Sequence, residues 1–333
     1  MTKALQGINL GGWLVLERWI TPSVFAGTIA NDEWSLGQEL GESSMKQKLQ
    51  QHRDTFITKK DIAWIAEQGF SIVRLPVGYW VFNDRDGFYG SIEYVDLLFA
   101  WAEEYGLRVI LDLHGAPGSQ NGWDHSGKAG LLGWHTQEAY ISESLVVLEQ
   151  LAYRYGADPA LYGVEVLNEP RWDIPLKVLL GFYMRAYAVL RSICGGAVKV
   201  IVSDSFRLKD MTAGLRAIGL ADVIVDSHRY QLFSDEDKWL DFKGHLKKVI
   251  MWRREIQQQA KYFPIMIGEW SATLGHSTFT GSLEKEISAM TVEYFRKQQE
   301  VFNTEAAIWC YWTYKTEQIS PWSYRDQSIF GLK

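Results

Sequence analysis

Glu169 and Glu269 are the residues of this sequence best placed to do chemistry. Each follows a short apolar run, in "LYGVEVLNEP" at 161–170 and "PIMIGEW" at 264–270, a hundred positions apart. A buried strand that finishes on Asn168 and Glu169, held rigid by Pro170, puts polar groups where a core has no use for them. Polar or aromatic residues recur at equivalent places: Arg74 in "SIVRLP", His114 in "VILDLHG", His228 and Tyr230 in "VIVDSHRY", Trp312 in "IWCYWTYK". Two carboxyls with no other obvious nucleophile suit the cleavage of a glycosidic bond. One must be protonated to release the leaving oxygen, and a neighbouring negative carboxylate is expected to raise its pKa. The other must stay ionised, which Arg74 and the Tyr230 hydroxyl can secure. Asn168 can donate to a sugar hydroxyl beside the reacting carbon, and Trp312 offers a flat face to the C–H bonds of a pyranose.

The elements that must hold these groups alternate along the chain. Strands are predicted at 6–10, 70–76, 107–113, 161–167, 198–203, 222–227, 264–269 and 306–312. Helices are predicted at 58–69, 91–106, 136–156, 175–194, 209–219, 240–260 and 281–303; the first opens on "TKKD", a capping-box pattern, and closes on Gly69. Strands alternating with helices pair in parallel through right-handed crossovers, and eight such units favour a closed (β/α)8 barrel over an open sheet. With no repeat, linker or low-complexity segment, residues 1–333 are expected to form one catalytic barrel domain. The connections 10–57 and 114–135 are longer than a barrel needs and rich in Trp and Gly, so they are expected to be functional loops. Both follow the C-terminal ends of strands, the face on which barrel enzymes build their sites.

Composition excludes several classes. A net charge of −6 with no dense basic stretch argues against a nucleic-acid partner, and no apolar run reaches the length of a membrane span. Cys194 and Cys310 are isolated thiols, read as buried small hydrophobes. The start "MTKALQ" has no charged leader or apolar export segment, so the chain as written is expected in the cytoplasm, or outside it if the sequence is a mature form. A monomer is expected.

Taken together, "VLNEP", "IGEW", "VRLP", "DLHGAPGSQNGWDHSG" and "HRYQLF" resemble the motifs of glycoside hydrolase family 5, the retaining glycosidases of clan A. The resemblance runs from "GINLGGWLVLERWITPSVF" to "YWTYKTEQISPWSY", and is closest to the exo-β-1,3-glucanase group. It implies Glu169 as general acid/base and Glu269 as nucleophile. It also implies that Arg74, His114, Asn168, His228, Tyr230 and Trp312 surround the sugar to be cleaved. By the same resemblance Glu17 and Asp124 hold the terminal glucose and close the far end of the site, while Trp123 and Phe233 clamp the next sugar. Trp123 stands where the fungal enzymes have Phe, and the cysteines that form the fungal disulfides are missing.

The implied activity is release of glucose from the non-reducing end of β-1,3-glucan or laminari-oligosaccharides, with no cofactor and no metal. A second reading within the family is hydrolysis or transglycosylation of another β-glucoside, such as a β-1,6-glucan, a cello-oligosaccharide, a glycolipid or an aryl glucoside. A non-catalytic glucan-binding barrel and a metal-dependent hydrolase are the readings from other classes. Asp112, Asp226 and His125 invite a metal, yet no H-x-H or H-E-x-x-H spacing supports one. Glu165 is expected to lie deep in the barrel as a structural carboxylate paired with a basic group.

Overall fold

The apolar runs become β1 (Leu5–Asn9), β2 (Ile72–Gly78), β3 (Arg108–Gly115), β4 (Leu161–Glu165), β5 (Lys199–Ser203), β6 (Ile224–Asp226), β7 (Ile265–Ile267) and β8 (Ile308–Tyr311). They are seen in a computed structural model that describes residues 3–326. Each strand pairs in parallel with the next, and β8 returns to β1 through Leu5↔Ile308 and Ile8↔Tyr311, which closes the barrel. Ten helices surround the described strands: α1 (Glu33–Leu40), α2 (Glu42–Phe56), α3 (Lys59–Glu67), α4 (Ile92–Tyr105), α5 (Glu138–Tyr155), α6 (Leu176–Cys194), α7 (Leu208–Ala217), α8 (Asp235–Lys238), α9 (Phe242–Gln259) and α10 (Glu284–Glu305). Their apolar stripes turn inward; α5, for example, buries Ile141, Val147, Leu148, Leu151 and Tyr155. The expected capping box is present at α3, where the Asp61 carboxylate accepts from the Thr58 N–H at 2.8 Å.

Two expectations need correction. Several strands are shorter than the apolar pattern suggests: β4 ends at Glu165 rather than at 167, and β7 at Ile267 rather than at 269. The residues beyond leave the ladder because they bend over the barrel mouth, and Glu169 takes the left-handed φ of 42°. The connection after β1 is also not an irregular loop throughout, since it carries α1 and α2. The inward face of α2 is Met45, Leu49, His52 and Arg53, and a stripe that is half His and Arg escapes any count of apolar spacing. The stretch 114–135 is irregular as expected, apart from short 3-10 turns at Asp124–Ser126 and Trp134–Thr136.

Strand alternation then sorts the barrel interior into layers. Ile72, Ile110, Ile201, Ile224, Met266, Ile308 and Cys310 form one apolar plug. Two positions further along their strands stand Arg74, Asp112 and Asp226, all buried. The plug is the floor, the charged layer lies above it, and the site opens over both. Among the described residues no helix is long and apolar enough to cross a membrane.

Candidate active site

Arg74 organises the charged layer. Its Nε donates to Glu165 Oε2 at 2.8 Å, Nη1 to Asn9 Oδ1 at 3.0 Å and Glu269 Oε1 at 3.1 Å, and Nη2 to Asn168 Oδ1 at 2.8 Å. Nη2 also lies 3.0 Å from Asp112 Oδ2. Four guanidinium N–H groups donate to oxygens and Asp112 adds an ion pair, so the ends of β1, β3, β4 and β7 are tied to β2. Burial opposes the charge, but Asp112, Glu165 and Glu269 outweigh it and hold the guanidinium well above its ordinary value. Glu165 is the structural carboxylate expected; burial, against Arg74, pushes it well up.

Because Arg74 occupies Asn168 Oδ1, the Asn168 amide presents its Nδ2 to the cup, 3.5 Å from His114 Nε2. His114 Nδ1 meets Asp112 Oδ2 at 2.6 Å, and burial, against the pull of Asp112, lowers the pKa of the imidazole. A neutral His114 that donates through Nδ1 leaves Nε2 as an acceptor. Trp312 lies flat on this ring, with centroids 5.5 Å apart and planes 6° from parallel.

Glu269 follows Gly268, whose N–H donates to Asp226 Oδ1 at 2.6 Å. A Cβ at Gly268 would stand 2.1 Å from Asp226 Oδ2, so only glycine fits. Glu269 Oε1 accepts from Arg74 and Oε2 accepts from the Tyr230 hydroxyl at 2.8 Å. Burial first, then Glu269 and Glu169, push the Tyr230 phenol well up, so it stays a donor.

His228 bridges the two glutamates. Its Nδ1 is 2.6 Å from Glu169 Oε1 and 3.4 Å from Glu269 Oε2, while Nε2 is 3.0 Å from Asp226 Oδ2. Burial disfavours its charge, but Glu269, Asp226 and Glu169 together raise it well above the ordinary value, so the ring is an imidazolium. One oxygen of each glutamate and a His228 nitrogen all lie within 4.8 Å of one another. The second oxygen of Glu169 faces His125 Nε2 at 3.3 Å.

This corrects the expected protonation of the acid/base candidate. Burial alone would raise the Glu169 carboxyl, yet the charge of His228 and the hydrogen bonding of His125 and His228 hold it well below the usual range. The anionic Glu269 does not dominate because a cation stands between the two carboxylates.

Glu17 is buried and accepts from Trp19 Nε1 at 2.8 Å. Burial, against His125, pushes its carboxyl up to about 8, so near neutral pH it is a protonated acid able to donate as well as accept. Asp124 opens the turn that carries His125. Trp123 and Phe233 stand in separate aromatic groups. Trp123 lies 6.0 Å from Trp172 and 5.9 Å from Phe206, whereas Phe233 lies 5.4 Å from Tyr230 and 6.4 Å from Trp322.

Sequence reasoning gave several residues of this constellation no part in the sugar site. Gln120 Nε2 donates to the carbonyls of His114 and Asn168 at 2.7 and 2.9 Å, and Asn121 Nδ2 to that of Glu169 at 3.3 Å. The loop after β3 thereby holds the bend that aims Glu169. Asp112 and Asp226 fix the two histidines, and a signal for them existed: "DLH" and "DSH" both place Asp two before His, on one face of a strand. His125 had no comparable signal.

Two groups among the described residues bring three ligand-type atoms together, Glu165/Asp226/His228 and Glu169/His228/Glu269. Both nitrogens of His228 already face carboxylates, and a charged imidazolium is not a ligand. Arg74 and His228 supply the positive charge that a cation would bring.

A closed (β/α)8 barrel with paired glutamates at its C-terminal mouth defines a glycosidase of the barrel type. The family model for Cellulase (glycosyl hydrolase family 5) matches residues 36–318, and the chain belongs to that family. It is 34% identical to the probable glucan 1,3-beta-glucosidase A of Aspergillus fumigatus over 98% of this chain and 86% of that protein. It is 32% identical to glucan 1,3-beta-glucosidase 1 of Schizosaccharomyces pombe over 96% of this chain and 85% of that one. Among solved structures, the rutinosidase from Aspergillus niger superposes with a TM-score of 0.84 at 22% identity, covering 99% of this chain and 98% of that one; this likeness concerns the fold alone.

Proposed function

We propose that the protein is a retaining, exo-acting glucosidase that removes glucose from the non-reducing end of β-1,3-glucan and laminari-oligosaccharides. The observation that carries the mechanism is the close approach of Glu169 and Glu269, whose nearest oxygens lie within 4.8 Å. Retaining enzymes keep their carboxyls about 5–5.5 Å apart, whereas inverting ones leave about 6.5–9.5 Å for a water. The β-1,3 linkage is supported by the relatives named as glucan 1,3-beta-glucosidases, which match this chain nearly end to end.

Glu269, aimed by Arg74 and Tyr230, attacks the anomeric carbon while Glu169 protonates the departing oxygen. A covalent glucosyl-enzyme results. Glu169 then takes a proton from water, which displaces Glu269 and restores the β configuration. Asn168 Nδ2 is the donor for the 2-hydroxyl, and the His114–Trp312 stack is the floor under the ring. A protonated Glu17 and Asp124 hold the terminal glucose and close the far end, which makes the action exo. Trp123 and Phe233 offer rings to the leaving sugar from two sides. We read the protein as a monomer that acts without a cofactor.

Trapping tests this reading. A 2-deoxy-2-fluoro-glucosyl donor with an activated leaving group should label Glu269 stoichiometrically, as read by peptide mass spectrometry. Label on another residue, or turnover with no covalent intermediate, would contradict it.

A further inference from the structure

Glu169 is held between two histidines that differ in how firmly they are themselves held. His228 meets carboxylates at both ring nitrogens, Asp226 at Nε2 and both Glu169 and Glu269 at Nδ1. Its proton is fixed from both sides. His125 meets a carboxylate through Nε2 alone, and its Nδ1 has no hydrogen-bond partner among the described residues. The ring is packed against His114 at 5.1 Å and Trp123 at 5.5 Å. Its side chain is still 16% exposed.

We propose that His125 is the proton partner of Glu169: in the free enzyme its imidazolium holds the proton that Glu169 later delivers to the glycosidic oxygen. The inference rests on Glu169 being the acid/base. Four groups face His125 from the surrounding elements: Glu169 after β4, Glu17 after β1, Asp124 in its own turn and His114 at the end of β3. Burial disfavours charge on the ring, but the hydrogen bond and charge of Glu169 outweigh it, joined by Asp124 and, at the alkaline pH where it ionises, by Glu17, and raise His125 to about 9.

The proton balance closes over a turnover. When a sugar fills the cup and removes water from the 3.3 Å ion pair, the neutral arrangement gains on the charged one, because desolvation penalises both charges. The proton passes from His125 Nε2 to Glu169 Oε2. From there it goes to the glycosidic oxygen as the C1–O bond breaks, its electron pair staying on oxygen while Glu269 forms the ester bond. Glu169 is now anionic and His125 neutral. In the second step Glu169 takes a proton from the attacking water, and when product leaves the proton returns to His125. His125 touches no reacting bond; it is a positioning residue for the proton.

The test compares the wild-type chain with His125→Asn and His125→Gln on two substrates: laminaribiose, whose leaving group needs a proton, and 2,4-dinitrophenyl β-glucoside, whose leaving group does not. The kcat/KM of each is followed from mildly acidic pH to about 10. Without His125, Glu169 must hold its own proton beside the His228 cation, which drives it off at lower pH. For laminaribiose the alkaline limb of the variants should move down by about one pH unit or more, with a loss of about tenfold or more at alkaline pH. On the dinitrophenyl glucoside the variants should stay within about threefold of the wild type, since no proton is needed there. Equal losses on both substrates, or an unmoved alkaline limb, would overturn the proposal. Histidine NMR on the wild type covers a variant that fails to fold: the His125 ring should remain charged until about pH 9, and a neutral ring at pH 7 would be decisive against it. A wild type inactive on both substrates would instead count against the proposed function, visibly before any variant is compared.

Discussion

Arg74 makes four hydrogen bonds and an ion pair with Asp112, and three of its partners are carboxyl groups that would otherwise crowd one another. Arg74→Met should therefore cost about 3–5 kcal/mol, the usual consequence of leaving buried charge uncompensated, and urea unfolding would measure it. A loss below about 1 kcal/mol would mean that the layer rearranges freely. Gly268 is a sharper probe, because a methyl group there collides with the carboxylate that holds His228. Gly268→Ala should lower kcat by about tenfold or more, while Gly275→Ala, whose Cβ meets Ser277 Oγ at an ordinary 3.6 Å, should not. Equal activity of the two variants would contradict the role of Asp226. At this scale much was legible: Glu169, Glu269, Arg74 and Asn168 could be read as polar groups at strand ends, although the adjacent Asn168 and Glu169 serve one cup only through the bend beyond Glu165, where Glu169 takes a φ of 42°. His125 was not legible, because its contact with Glu169 depends on the path of a loop that no periodicity describes.

Elements were legible where their pattern is apolar and regular, as in β3 and α5, and illegible where the buried face is polar. The helices α1 and α2 are the case in point. Glu33 opens α1 wholly buried, its Oε2 accepting from the Leu16 N–H at 3.0 Å, which ties the helix to the segment that carries Glu17. Burial, against Arg53, pushes the Glu33 carboxyl up to about 7. In the unfolded chain it would titrate near its ordinary value of about 4.3, so at intermediate pH the folded protein binds a proton that the unfolded chain has released. This contribution to stability is complete below about pH 4 and is lost as pH rises through about 7. Glu33→Gln removes it. The stability advantage of wild type over variant should shrink by about 2 kcal/mol between about pH 5 and pH 8, followed by thermal or urea unfolding. An advantage independent of pH would show that Glu33 does not titrate in this window.

Over the whole molecule, eight strand–helix units made the closed barrel readable before any contact was known, because a parallel sheet of that length with short crossovers has few other solutions. What the pattern could not supply was the charge balance of the interior. Arg74 and a His228 imidazolium are set among Asp112, Asp226, Glu169 and Glu269, while burial holds the Glu165 carboxyl well above the usual range, so side chains of the chain itself offset much of the negative charge. A chelator should leave kcat/KM unchanged, and loss of activity restored by one divalent metal would contradict that balance. The central claim joins the reaction, its stereochemistry and the end of the chain attacked, and time-resolved proton NMR of laminaritriose tests all three together, with Glu269→Ala as the blank. The account predicts β-glucose and laminaribiose appearing before mutarotation, with a silent variant. Intact triose, or α-glucose as the first product, would contradict it.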